Sequence, residues 1–266
     1  LKVNKTLQSI NLAHNVICYR GKMAGLKALC VMLKINVTLQ SINLDSNSIG
    51  EYYDVGKREF VPTPEGPAAI VEMLKMNKTI TSISVGNNGI SGEAAKVLVK
   101  VVLAHGSLAT FCDIPITLLR QNTVTNPDLK DKGIEVPGAI VLANLLPAAS
   151  ALLSLNLADN RICENGEMAG LNGLCEMLKV NTTLQSINLS NNQLCGLDVF
   201  GKGTYTAEGF IQIAEALKVN ETLQSIDLAG NDIGYRGEMA GVNALCEMLK
   251  VNTTLQSINL SNNQLC

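Results

Sequence analysis

Thirteen residues, Thr-Leu-Gln-Ser-Ile-Asn-Leu-Ser-Asn-Asn-Gln-Leu-Cys, occur at 183–195 and again, unchanged, at 254–266. No other feature limits the fold as severely, because an identical internal copy means that one structural unit is being stacked. The copy sets apolar residues at Leu184, Ile187, Leu189 and Leu194, with an amide at Asn192. Alternation through Ile187 and Leu189 has the period of a strand. Before each strand the period lengthens to that of a helix. Leu171, Leu174, Cys175 and Leu178 share one helical face, as do Leu26, Leu29, Cys30 and Leu33, and Val242, Leu245, Cys246 and Leu249.

Nine strand segments can be placed, beginning at Leu7, Leu39, Ile80, Leu108, Val124, Leu152, Leu184, Leu223 and Leu255. Seven carry an asparagine eight residues later: Asn15, Asn47, Asn88, Asn160, Asn192, Asn231 and Asn263. The spacing LxxLxLxxNxL resembles the leucine-rich repeat. The full-length helices are similar to those of the ribonuclease-inhibitor-like subtype and of the repeat region of nucleotide-binding immune receptors. This resemblance implies an α/β leucine-rich-repeat solenoid of about nine repeats. It is a horseshoe with parallel strands on the concave face and helices on the convex face. The resemblance also makes the seven asparagines a structural ladder bonding adjacent turns. The whole of 1–266 is expected to be a single repeat domain, with a regular block at 1–107, irregular repeats at 108–134 and a second regular block at 135–266. Neither end supplies the polar capping repeat that seals a solenoid, so the chain is expected to be a fragment lacking both caps.

Repeat lengths depart from the roughly 20–29 residues of the family. Strand starts are spaced by 32 and 41 residues in the first block and by 32, 39 and 32 in the second. Leu152 to Leu223 and Leu184 to Leu255 are each 71 residues apart, so a pair of one short and one long repeat has been duplicated. The long member carries Thr-x-Glu-Gly, at Thr63 to Gly66 and Thr206 to Gly209, which is expected to cap its helix. Helices end in Asn-x-Thr, at Asn36, Asn77, Asn181, Asn220 and Asn252, where asparagine is expected to take the left-handed conformation of a helix terminus. The triplets also match a glycosylation acceptor, but their fixed register favours capping. Rhythm fails in the middle. Sixteen residues separate Leu108 from Val124, Pro127 falls where the template wants an apolar strand residue, and Lys132 replaces the asparagine. A proline inside a parallel strand removes a ladder donor, which predicts distortion over Cys112 to Gly133 and recovery in a helix at 137–147.

The chain holds 21 basic and 23 acidic residues, a balance that points to neither nucleic acid nor an anionic membrane as partner. No apolar run approaches the roughly 20 residues of a membrane helix, so no membrane insertion is expected. Seven of the eight cysteines fall in two fixed template slots, as small buried hydrophobes do. Cys18, Cys163, Cys195 and Cys266 occupy one, and Cys30, Cys175 and Cys246 the other. Reduced thiols in a cytoplasmic, reducing compartment follow.

No catalytic constellation, metal-ligand spacing or cofactor motif is present, so no enzyme activity and no cofactor are expected. Gly56-Lys57 and Gly201-Lys202 lack the remainder of a phosphate loop, and His14 and His105 have no recurring partner. Seven of the nine aromatics lie in strand-to-helix loops: Tyr19, Tyr52, Tyr53, Phe60, Phe200, Tyr205 and Tyr235, accompanied by Arg20, Arg58 and Arg236. Tyrosine and arginine are the usual make-up of a protein-binding hot spot. The sequence therefore predicts a non-catalytic protein-interaction module, a scaffold or the sensing arm of a larger intracellular protein. It would bind another protein through this rim of loops and, more weakly, the concave face. Alternatives are a GTPase-activating protein of the leucine-rich-repeat type and a structural subunit of a large assembly.

Overall fold

The computed structural model describes residues 4–198 and 201–265, so Phe200 and Cys266 lie outside the described residues. Two compact units divide the chain at Thr117/Leu118, inside the stretch of broken rhythm.

In the first unit the strands β1 (Ser9–Asn11), β2 (Ser41–Asn43), β5 (Ser82–Ser84) and β6 (Thr110–Phe111) form a parallel sheet in chain order. The register aligns the template, Ser9 beside Ser41 beside Ser82 beside Thr110. The central isoleucine of each interior strand points inward, Ile42 and Ile83 being buried while their serine neighbours are half-exposed. Helices α1 (Ala24–Leu33), α2 (Glu65–Met76) and α3 (Gly92–Ala104) carry the chain back from one strand to the next. Each buries one stripe, as Ile70, Val71, Met73 and Leu74 do on α2.

One element escaped the repeat template. The first long loop folds into an antiparallel hairpin, β3 (Glu51–Asp54) with β4 (Glu59–Pro62), pairing Tyr52 with Val61 and Tyr53 with Phe60. Its turn is organised by Asp54, whose Oδ1 accepts from the backbone N–H groups of Gly56 at 2.9 Å and Lys57 at 3.1 Å. This is the Asx-turn chemistry that aspartate before glycine offers.

The second unit repeats the plan with β7 (Ser154–Asn156), β8 (Ser186–Asn188), β9 (Ser225–Asp227) and β10 (Ser257–Asn259) in one parallel sheet. Its helices are α5 (Glu135–Leu145), α6 (Ala169–Val180), α7 (Glu208–Val219) and α8 (Ala240–Leu249). The irregular region holds a five-residue helix, α4 (Ile116–Arg120), and a single parallel bridge from Asp128 to Asn156. Pro127 has no N–H for the ladder, yet its carbonyl accepts from Asn156 N at 3.2 Å. One bridge therefore survives where a strand would otherwise form. Recovery comes at α5, two residues earlier than expected.

Between turns, buried amides do the bonding. Asn192, fully buried, accepts on Oδ1 from Asn160 N at 3.1 Å and Ile162 N at 3.3 Å, and donates from Nδ2 to Leu157 O at 2.8 Å and Ser190 O at 3.0 Å. Asn47 receives Asn15 N and Ile17 N, and Asn88 receives Asn47 N and Ile49 N. In the second unit Asn231 receives Asn192 N and Leu194 N, and Asn263 receives Asn231 N and Ile233 N. Asn160 receives Lys132 N and Ile134 N. A rung position thus keeps its backbone donors even where lysine has replaced the amide. The Asn15 side chain is exposed and donates within its own turn, to Ala13 O at 3.0 Å.

A second asparagine row corrects the expectation of left-handed caps. Asn77, Asn181 and Asn220 end their helices in the extended region, with φ near −72° to −76° and ψ 126–132°. Asn77 Oδ1 accepts from Thr79 N and Ile80 N at 2.8 Å, while its Nδ2 donates to Leu33 O at 2.7 Å and Asn36 O at 3.0 Å in the preceding turn. Asn220 and Asn252 reach back likewise, to Leu178 O and Leu217 O. The Asn-x-Thr triplet is thus both an Asx turn and a rung.

Thr63 also departs from expectation. Its hydroxyl donates to Ile49 O at 2.9 Å instead of capping α2, whereas Thr206 does accept from Glu208 N at 3.1 Å. The glycine of the motif is demanded by crowding. A Cβ on Gly66 would collide with the Ile49 carbonyl, and one on Gly209 with that of Leu194.

Candidate interaction rim

Each unit gathers its rim residues into one cluster. In the first, Tyr19–Gly21 forms a tight 3-10 turn in which Arg20 adopts a left-handed φ of 50°. That conformation lays the guanidinium over the neighbouring Tyr19 ring, 5.2 Å from its centroid. Gly21, at φ 75°, abuts Tyr52 so closely that an added Cβ would stand 2.9 Å from the ring. Tyr52 is half-buried there, while Tyr53 and Phe60 meet edge-to-face across the hairpin at 5.3 Å and remain exposed. Arg20, Tyr52, Tyr53, Asp54, Val55 and Gly56 line a recess of about 220 Å³. Arg58, at φ 59°, sits in the hairpin turn and is exposed, its backbone N–H donating to Asp54 O at 2.7 Å.

The second unit builds a matching cluster from Tyr235–Gly237. Arg236 takes φ 54° and lies 5.1 Å from the Tyr235 centroid. Tyr235 stacks on Tyr205 of the preceding long loop at 5.9 Å and 24°. Tyr205 is held further by its hydroxyl, which donates to Glu238 O at 3.4 Å. Burial, with Cys195 close by, pushes that phenol up to about 12. These groups, with Leu197, Gly201 and Thr204, line a larger recess of about 620 Å³. Phe200 belongs to the same loop and lies outside the described residues.

The rim aromatics therefore have two roles. Tyr52 and Tyr205 are struts, fixed against a glycine and against a ring and a carbonyl. Tyr19, Tyr53 and Phe60 are exposed apolar area at low conformational cost, with a cationic guanidinium at one side. Such a surface suits recognition of a protein surface. Among the described residues no group of three or more His, Cys, Asp or Glu side chains could hold a metal. Cys18, Cys30, Cys112, Cys163, Cys175 and Cys195 are buried and form no disulfide. Burial pushes Cys18 up to about 11 and Cys30, Cys175 and Cys195 up to about 12, which keeps them protonated and unreactive near neutrality. Of the described helices none is long and apolar enough to cross a membrane.

His14 is exposed at φ 58°. His105 is buried in the second asparagine row, its Nε2 donating to Asn77 O at 2.8 Å while Nδ1 has no partner. It substitutes for the amide with half its capacity. The second row and the hairpin were missed by sequence reasoning, although Asp54-x-Gly56 and the repeated Asn-x-Thr register were their signals.

Models of the leucine-rich repeat match residues 77–99, 183–202, 219–240 and 251–265. Comparison with curated proteins gives no match. Among solved structures, the chain is similar to leiomodin-1 actin-binding site 2, with 20% identity over 56% of this chain and 78% of that one and a TM-score of 0.45. It is also similar to LegL7 from Legionella pneumophila, with 18% identity, 94% and 64% coverage and a TM-score of 0.34. The tropomodulin C-terminal domain of Caenorhabditis elegans matches with 15% identity, 85% and 92% coverage and a TM-score of 0.29. With its parallel strands at repeat register and its buried asparagine rungs, the chain carries leucine-rich repeats at the matched residues and resembles leucine-rich-repeat proteins.

Proposed function

We propose that the chain is a non-catalytic protein-interaction module, a scaffold or the sensing arm of a larger intracellular protein, and that the aromatic rim is its binding surface. One observation carries the reading. Each unit sets a Tyr-Arg-Gly turn, its arginine in a left-handed conformation, beside the aromatics of a long loop. A residue other than glycine at positive φ costs energy, on the order of 1 kcal/mol. The third copy of the turn, Glu164–Gly166, keeps that backbone with Asn165 at φ 55°, so the Tyr-Arg pair is what the two rim copies add to a shared turn. The concave face offers less, being rows of serine and asparagine without aromatics or arginine.

The test is affinity capture with quantitative mass spectrometry, comparing the chain with a Tyr53→Ala/Phe60→Ala/Tyr235→Ala variant of unchanged circular dichroism. Removing exposed hot-spot rings costs about 2 kcal/mol or more each, so the partner should fall to near background. Equal recovery by both chains would place the binding surface elsewhere.

A further inference from the structure

The near-neutral total conceals a division of charge. The first unit, residues 1–117, carries twelve Lys and Arg against eight Asp and Glu, while residues 118–266 carry nine against fifteen. No acid at all occurs before Asp45, among Lys2, Lys5, Arg20, Lys22, Lys27 and Lys34.

Much of that charge borders an apolar row on the outward helix surface. In four helices a glutamate one turn before the final lysine pairs with it. Glu72–Lys75, Glu176–Lys179 and Glu215–Lys218 each close at 2.6 Å, and Glu247 pairs with Lys250. In α1 the glutamate position is Val31, so Lys34 has no such pair. Val31 is 63% exposed, Ile35 62% and Val37 75%. This exposure is not a result of α1 lying first in the stack. Met76, which matches Ile35 in an interior turn, is 63% exposed, and Glu72, which matches Val31, is equally outward. On α3 the same position is Lys100, also exposed.

We infer that the outward face of α1 and α2 in the first unit is a second docking surface, one that receives an acidic protein segment with apolar anchors. Val31, Ile35, Val37 and Met76 supply the apolar contact; Lys27, Lys34, Lys78 and Lys100 supply complementary charge around it. The one acid within the row, Glu72, is already engaged by Lys75. A peptide can set a neutral or basic side chain against that carboxylate, whereas a layer of anionic headgroups meets it as a like charge. The row also has none of the aromatic anchors that interfacial surfaces use. The second unit also exposes an apolar residue at the Ile35 position, in Val180, Val219 and Val251. Its helices, however, keep Glu176, Glu215 and Glu247 where α1 has Val31, so the widened apolar row with an unpaired lysine belongs to the first unit.

The experiment is fluorescence anisotropy on the full chain with a labelled helical peptide of glutamate and leucine, at low and high salt. Phosphatidylserine–phosphatidylcholine vesicles form the parallel arm. Val31→Glu is the decisive variant, because it installs the ion pair that four sibling helices already hold and so preserves the fold. Expected are peptide binding that salt weakens, a loss of about tenfold or more in Val31→Glu and again in Lys34→Glu, and no change in Tyr53→Ala. Absent peptide binding, equal affinity in Val31→Glu, or recruitment by vesicles but not by peptide would each overturn the assignment.

Discussion

At the scale of single residues, the buried amides are as demanding as the leucines around them. Asn192 satisfies four backbone groups with one side chain, and all four belong to buried residues. Leaving a buried donor or acceptor unpaired costs about 1–3 kcal/mol. Asn192→Ala should therefore lower unfolding free energy by roughly 3 kcal/mol or more, whereas Asn15→Ala, at an exposed rung, should change it by under about 0.5 kcal/mol. Urea titration followed by circular dichroism reads both, and equal costs would refute a ladder role that depends on burial. The positions of these amides were legible from the repeat alone. The second row was legible as a pattern but not as a geometry, because Asn-x-Thr does not say whether the chain turns left-handed or extends. Asn77 extends because its carbonyl-seeking Nδ2 must reach Leu33 and Asn36 in the turn before.

At the scale of elements, helices and inner strands follow the sequence closely, since burial of one stripe and one strand face is a periodic requirement. Loops do not, because their conformation is set by local hydrogen bonds. The two long loops show this. Both carry a Gly-Lys pair, yet one becomes the β3–β4 hairpin around Asp54, and the other closes an antiparallel bridge between Leu197 and Gly203. The rim residues could therefore be named from the sequence while their partners could not, including the stack of Tyr205 on Tyr235. Helix starts supply a sharper case. Gly66 begins α2 against the Ile49 carbonyl, where a methyl group has no room. Alanine is the better helix former by about 1 kcal/mol, yet Gly66→Ala should destabilise by about 2 kcal/mol or more through the clash. Thermal denaturation decides the sign, and a raised melting temperature would show that the carbonyl can move.

At the scale of the whole molecule, the repeat unit and the sheet units are different things. The duplication reads as 71 residues, but packing divides the chain near residue 117, where Pro127 and the sixteen-residue gap interrupt strand pairing. Net charge was a poor guide at this scale too, since a total near zero was the sum of a basic first unit and an acidic second one. The two identical segments carry a last consequence, which concerns length. Leu184–Leu194 and Leu255–Leu265 have the same sequence, and β8 and β10 each pair in parallel with β9 in the same register. Excising residues 184–254 joins Thr183 to Leu255 and lets the second copy take the place of the first beside β7. Such a shortened chain should fold cooperatively with its circular dichroism per residue unchanged, and aggregation on expression would count against it. A gene encoding interchangeable joints can gain or lose whole turns in one recombination event, so family members differing by multiples of this block would be the trace left behind.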